Sequence, residues 1–273
     1  MAVLDLVDDW PVDPVGVAVI GPAGPLAERG PTREVLRIAS VSKLISAWAV
    51  LVAVEEGSVR LDGPAGPPGA TVRHLLAHAA GYPFEGRQPV AAPARTRIYS
   101  NTGYEVLAEH VATATGIDFP TYVAEAVLAP LQMTATGVEG SPAKAYRSSV
   151  DDLGRFAREL LRPSLLAPET VACATSVAFP DLGGILPGVG RFSPNPWGLG
   201  PEIRGTKQPH WTGTTNSPAT FGHFGGSGTF LWVDPAIDVA CVMLADRDFD
   251  EWGLASWPPF SDAVVAAYGS SRP

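Results

Sequence analysis

The chain has 273 residues, 46% hydrophobic and 17% charged, enough to build a core that buries about three quarters of the unfolded surface. Disordered and fibrous classes are excluded, and the length fits one large domain or two intertwined ones. Nineteen Lys and Arg against 28 Asp and Glu leave a net charge of −9 with no basic run, which excludes nucleic acid as a partner.

The first residues, Met1-Ala2-Val3-Leu4-Asp5, are acidic where a signal peptide would be basic. Residues 15–20 read as a buried strand, closed by the turn Gly21-Pro22-Ala23-Gly24-Pro25. After Ile38-Ala39-Ser40 a helix is expected through Val54, apolar nearly all round and so buried. Its apolar run, 44–54, is too short for the ~20 residues of a membrane span. A Gly/Pro loop over 62–69 leads to a short helix over 71–78. Tyr104, Leu107, Ala108, Val111 and Ala112 form one apolar helical face, and Leu153, Phe156, Ala157, Leu160 and Leu161 form another. Ser149 and Asp152 resemble a capping box ahead of the second helix, which ends at Pro163. Residues 179–197 read as a loop, 222–233 and 238–244 as strands of a hairpin turning at Asp234-Pro235, and 261–268 as a closing helix. His110 and His210 read as surface residues.

This order predicts an α+β fold: an antiparallel sheet built from both chain ends, flanked by N- and C-terminal helices, with a mainly helical region inserted. The expected division is 1–38 with 180–273 for the sheet part and 39–179 for the helical part, the active site lying between them. Two cysteines, Cys173 and Cys241, make no disulfide framework, and with the acidic start they point to the cytoplasm. Oligomeric state is not readable from this pattern.

Of only three lysines, Lys43 falls inside the apolar stretch 38–45. A charged side chain there is costly unless it is paired or loses its proton, which Lys can do and Arg cannot. Ser40 lies three positions earlier, on the same helical face and at the helix N-terminus, where a developing anion is favoured. This is the arrangement of a serine nucleophile with a lysine base, and it needs Lys43 depressed by roughly 3 pKa units, worth ~4 kcal/mol. A second match, Ser141-Pro142-Ala143-Lys144, sits in a polar loop with nothing to desolvate its lysine, and reads as a chance occurrence. Tyr99-Ser100-Asn101 offers a phenol to relay a proton and an amide to hold the lysine and a carbonyl; taken alone it reads as a turn in which Asn101 caps the next helix. Residues 222–229, Gly-His-Phe-Gly-Gly-Ser-Gly-Thr, would let a ligand approach a strand edge whose N–H serves an oxyanion, or form a glycine-rich bulge.

In this order the three elements resemble the penicillin-recognising serine hydrolases, the serine β-lactamase-like superfamily of class C β-lactamases, D,D-peptidases, D-aminopeptidases and family VIII esterases. Ser40-x-x-Lys43, Tyr99-x-Asn101 and His223-x-Gly225 match its three signatures, supported by 75–81 (Leu-Leu-Ala-His-Ala-Ala-Gly) and 197–200 (Trp-Gly-Leu-Gly). The resemblance covers most of the chain. It implies a β-lactamase/transpeptidase-like fold in which Ser40 forms an acyl-enzyme, Lys43 and Tyr99 share acid/base work, and Asn101, His223 and Gly225 contact the substrate. The backbone N–H groups of Ser40 and Gly226 would form the oxyanion hole. No cofactor and no metal is implied.

Two departures stand out. His223 replaces the lysine that β-lactamases and most D,D-peptidases carry, and His is mostly neutral at pH 7. The chain is also short for a class C β-lactamase and has no recognisable export signal. Both favour an esterase or amidase for small uncharged substrates over a β-lactamase or a D,D-peptidase/D-aminopeptidase-like enzyme. A silent binding protein of the same fold is the remaining alternative. His74 and His78 have zinc-like helical spacing but lack the accompanying Glu, so packing is expected for them; no Gly-x-Ser-x-Gly elbow occurs.

Overall fold

The computed structural model describes residues 2–269. After a 3-10 helix, Val3–Asp9, the chain forms β1 (Val15–Gly21), β2 (Gly24–Arg29), β3 (Leu36–Arg37) and α1 (Ser42–Glu55). Then come α2 (Val72–Leu76), α3 (Asn101–Thr115), α4 (Phe119–Val123), β4 (Arg147–Ser148), α5 (Val150–Leu161) and α6 (Pro168–Ala174). Short strands β5 (Gly184–Leu186), β6 (Gly190–Phe192) and β7 (Glu202–Ile203) precede β8 (Phe221–Gly225), β9 (Thr229–Asp234), β10 (Val239–Ala245) and the closing α7 (Glu251–Tyr268).

The main sheet has the order β2-β1-β10-β9-β8-β7, antiparallel throughout, so the two ends of the chain pair inside it as β1 and β10. Alternation along these strands sorts side chains onto two faces. Ala18, Ile20, Leu231, Val233, Ala240, Val242 and Leu244 join the core with α1 and α5. Val17, Val19, Phe230, Trp232, Cys241 and Met243 face Leu4, Val7, Trp252, Trp257 and Phe260 of the terminal helices. Strands buried on both faces explain why their sequence reads as continuous apolar runs. α1 is buried along almost its whole length, with Trp48 packed edge-on against Phe156 of α5 at 5.9 Å. Among the described residues no helix is long and apolar enough to cross a membrane.

Four local expectations change. The strand expected over 222–233 breaks at 226–228, because Gly228 has φ +73° and a Cβ there would lie 2.1 Å from the Arg247 carbonyl; the result is a tight β8–β9 hairpin. The loop expected over 179–197 contains the β5–β6 hairpin. The last helix starts at Glu251, not 261, capped by Asp250 Oδ1 on the Trp252 N–H at 2.9 Å. Pro258 and Pro259 lie inside it, and burial of Trp252, Trp257 and Phe260, each worth about 1.5–3 kcal/mol, offsets the roughly 3 kcal/mol that each proline costs. His210 is not a surface residue: it is buried, and its Nε2 hydrogen-bonds Glu202, which also pairs with Lys207. Those three charged or titratable residues are spread over positions 202–210, from β7 into the loop after it, and leave no periodic signal.

Candidate active site

Ser40 lies in a 3-10 turn, Ala39–Val41, immediately ahead of α1. Ala39 sits at φ +42°, a left-handed conformation that a residue with a Cβ adopts only when its surroundings impose it. Those surroundings are explicit. Ser42 Oγ donates to the Ala39 carbonyl at 2.6 Å and accepts the Tyr146 N–H at 3.2 Å. From the other side, Ser227 Oγ and Thr229 Oγ1 donate to the carbonyls of Arg37 and Ile38. The serine turn is thus clamped between β4 and the β8–β9 hairpin.

One turn into α1, Lys43 is fully buried. Its Nζ donates to Asn101 Oδ1 at 2.6 Å and to the Ala143 carbonyl at 2.8 Å, and lies 3.5 Å from Ser40 Oγ. It also sits 4.6 Å from the centre of the Tyr99 ring. Both acceptors are neutral. Burial holds the amine well below its usual range, and the more distant Glu85 and Glu105 only partly counter this. In the neutral amine two N–H bonds serve the two acceptors, and the lone pair is left for Ser40.

The Tyr99 segment is positioned by Arg97. This buried guanidinium donates to the carbonyls of Ala77, Ala178, Phe179 and Asn195, tying three loops together with no carboxylate among its partners. Ile98 N–H bonds the His78 carbonyl, and Ser100 N–H bonds His78 Nδ1 at 3.1 Å. The His78 ring lies 4.6 Å from that of Tyr99 and 4.9 Å, edge-on, from that of Trp197. Ser100, not Asn101, caps α3, accepting the Gly103 N–H at 3.1 Å; this frees the Asn101 side chain to face Lys43. Asn101 Nδ2 donates to Glu85 Oε1 at 2.9 Å, and the same carboxylate pairs with Lys144. Burial pushes the Tyr99 phenol above its ordinary range, partly opposed by a hydrogen bond with Ser40, so the phenol keeps its proton.

On β8, His223 is buried, and burial with the nearby Lys43 pulls its imidazole down to about 3. It is therefore neutral. Its Nδ1–H donates to the Phe224 carbonyl at 2.6 Å, which turns the Nε2 lone pair towards the Tyr99 hydroxyl, 3.4 Å away. Gly225 leaves no room for a side chain: a Cβ would lie 2.5 Å from both the Ile38 carbonyl and Thr229 Oγ1. At Gly226 a Cβ would meet nothing within 4 Å.

Ser40, Tyr99, His223 and Gly226 line one cavity of about 200 Å³, closed by Phe84, Leu186, Pro187 and Phe249. A second cavity of about 630 Å³ adjoins it, sharing Phe84, Tyr99 and Pro187. The structure thus brings together Ser40, Lys43, Tyr99, Asn101 and His223, with Gly225 packed beneath the serine turn. Sequence reasoning missed Glu85, the Ala143 carbonyl and the ring stacking of His78. The 75–81 segment was a signal for His78; helical spacing to His74 was not, because α2 ends at Leu76 and His78 lies beyond it at φ +55°. Lys144 bonds Ser141 only through the backbone, its N–H donating to the Ser141 carbonyl at 3.2 Å; the Ser141 hydroxyl pairs with Glu105, and the Lys144 ammonium pairs with Glu85, which brings it to the margin of the site.

A family model described as Beta-lactamase matches residues 1–265. A crystal structure of a beta-lactamase from Mycobacterium bovis superposes with a TM-score of 0.97 and 52% identity, covering 98% of this chain and 100% of that one. The D-alanyl-D-alanine-carboxypeptidase/endopeptidase AmpH of Escherichia coli K12 is 27% identical over 158 residues, 44% of this chain and 41% of that protein. The match spans about two fifths of that curated relative. The simvastatin synthase LovD of Aspergillus terreus shares the fold, with a TM-score of 0.80 at 18% identity over 98% of this chain and 97% of that one.

Proposed function

The chain belongs to the beta-lactamase family and is a hydrolase with the fold of the serine beta-lactamases; from that premise we propose that it cleaves small carboxylic esters, with amides as a second class, through an acyl-enzyme on Ser40. The observation that carries this is the buried Lys43 amine, hydrogen-bonded only to neutral acceptors and 3.5 Å from Ser40 Oγ. Its lone pair takes the Ser40 proton as Oγ attacks the ester carbonyl. The tetrahedral oxyanion is received by the backbone N–H groups of Ser40 and Gly226. Collapse expels the alcohol, which takes its proton from the Lys43–Tyr99 pair. Water then attacks the acyl-enzyme, giving up a proton to the same pair, and Ser40 recovers its own as the acid departs. Asn101 holds Lys43 in place, and Gly225 lets the serine turn approach β8.

Three features favour an ester over a lactam. His223 is neutral, so the substrate meets no cation there. One donor of the Asn101 amide is already engaged by Glu85. The small cavity beside the serine is closed by the apolar side chains of Phe84, Leu186, Pro187, Phe224 and Phe249. A beta-lactamase or peptidase reading is favoured by the names of the M. bovis and E. coli relatives. The division into a sheet part, 1–38 with 180–273, and a helical part, 39–179, belongs to the same proposal.

A fluorophosphonate probe and a short-chain p-nitrophenyl ester test it. The wild type is expected to be labelled and to turn over the ester, and Ser40→Ala to do neither. Equal reaction of Ser40→Ala sinks the assignment. A chromogenic cephalosporin turned over much faster than any ester would establish the lactamase reading, and tight ligand binding without acylation a binding protein.

A further inference from the structure

The cavity next to the serine pocket meets the reacting machinery only at Tyr99, and two arginines stand in its lining. β5 and β6 pair so that Ile185 faces Arg191 directly, which puts both side chains on one face of the hairpin. That face borders the 630 Å³ cavity, whose other walls include Phe84, Ile98 and Pro187. Leu186, on the opposite face, borders the serine pocket. The hairpin is a shared wall, and it is docked firmly: Arg97 N–H bonds the Gly183 carbonyl at 2.9 Å, and a Cβ at Gly184 would lie 2.2 Å from the Arg97 carbonyl.

Two guanidiniums border this apolar space. Arg97 spends its donors on backbone carbonyls, and Arg191 stands exposed on the hairpin. Among the described residues no carboxylate lies within ion-pairing distance of either, although the chain carries an excess of nine acidic charges. Uncompensated cations around a low-dielectric cleft focus a positive potential into it. Arg191, with its fork of donors unengaged, is built to receive a carboxylate.

We propose that this cavity is a specificity subsite for an ester whose apolar body ends in a carboxylate, the chain lying along Phe84, Ile98, Ile185 and Pro187 and the carboxylate pairing with Arg191. The proposal rests on the ester reading of Ser40 and refines the expectation of an uncharged substrate. Neutral His223 removes the cation beside the scissile bond, while Arg191 supplies one at the far end of the cleft.

The test compares p-nitrophenyl octanoate with the p-nitrophenyl monoester of suberic acid, which has the same chain length and a terminal acid. The wild type is expected to show the lower KM for the suberate monoester, and high salt to narrow the difference. Arg191→Gln is expected to raise that KM about tenfold while leaving octanoate kinetics within about twofold, as a lost charge-assisted hydrogen bond would. Arg191→Lys should keep most of the preference. Equal effects of Arg191→Gln on both esters, or no wild-type preference for the acid, overturns the subsite. If the wild type cleaves neither ester, the ester reading fails, and calorimetric titration of suberate decides the subsite alone. Binding lost in Arg191→Gln supports it; binding that is absent or unchanged rejects it.

Discussion

Lys43 carries the chemistry because of what surrounds it. A lysine pressed against Tyr99 and Tyr104, with only an amide and a carbonyl oxygen to bond, lies below its usual range. The folded chain therefore releases this proton more readily than the unfolded chain does. Between the lowered folded value and the ordinary value near 10.5, the unfolded state binds more protons, so this group's contribution to stability rises with pH. Catalysis runs in the same direction, since it needs the neutral amine. The acid limb of kcat/KM is expected to report Lys43, with no limb from His223 near neutrality because that imidazole titrates at about 3. Arg cannot shed its proton, so Lys43→Arg should reduce kcat/KM by about 10²–10⁴-fold, the usual contribution of a general base. Activity retained in Lys43→Arg would assign the base elsewhere. The residue types at 40, 43, 99, 101 and 223 were readable in the sequence. Glu85 was not, because it lies 16 positions from Asn101 in a loop whose course no periodicity describes.

At the scale of elements, the serine turn and the β8–β9 hairpin fit each other through glycine. Gly225 has 2.5 Å between an added Cβ and the Ile38 carbonyl, whereas Gly226 opens onto free space. Gly225→Ala is expected to destabilise by about 2–3 kcal/mol by forcing the two elements apart. Gly226→Ala should stay within about 0.5 kcal/mol of the wild type, as an open surface site would. Denaturant unfolding measures both, and similar costs for the two would show that the hairpin is not held at Gly225. α3 and α5 were readable from their 3.6-residue period, α1 from its all-round apolar run, and the capping role of Ser149 from its spacing to Asp152. The β5–β6 hairpin was not, because three-residue strands separated by Pro187-Gly188-Val189 have too little alternation to stand out from a loop.

For the whole molecule, the decisive feature is that β1 and β10, from opposite ends of the chain, lie side by side in the interior of the sheet. Neither can be lost without uncovering both cores, so native-state hydrogen exchange should find the amides of β1, β9 and β10 opening only with global unfolding. Exchange of those strands at a lower free energy than that of α1 would separate the sheet from the helices as an independent unit.

Composition, apolar runs and three short motifs determined by themselves the α+β class, the antiparallel sheet and the family resemblance. They could do so because periodicity and residue type act over a few positions. Which face each strand presents, the depth at which Lys43 lies, the burial that holds His223 far below its ordinary range and the meeting of Arg191 with Ile185 across a hairpin were decided only in the tertiary structure. Burial and electrostatic field arise from groups brought close in space, and neither is a property of a residue or of its neighbours along the chain.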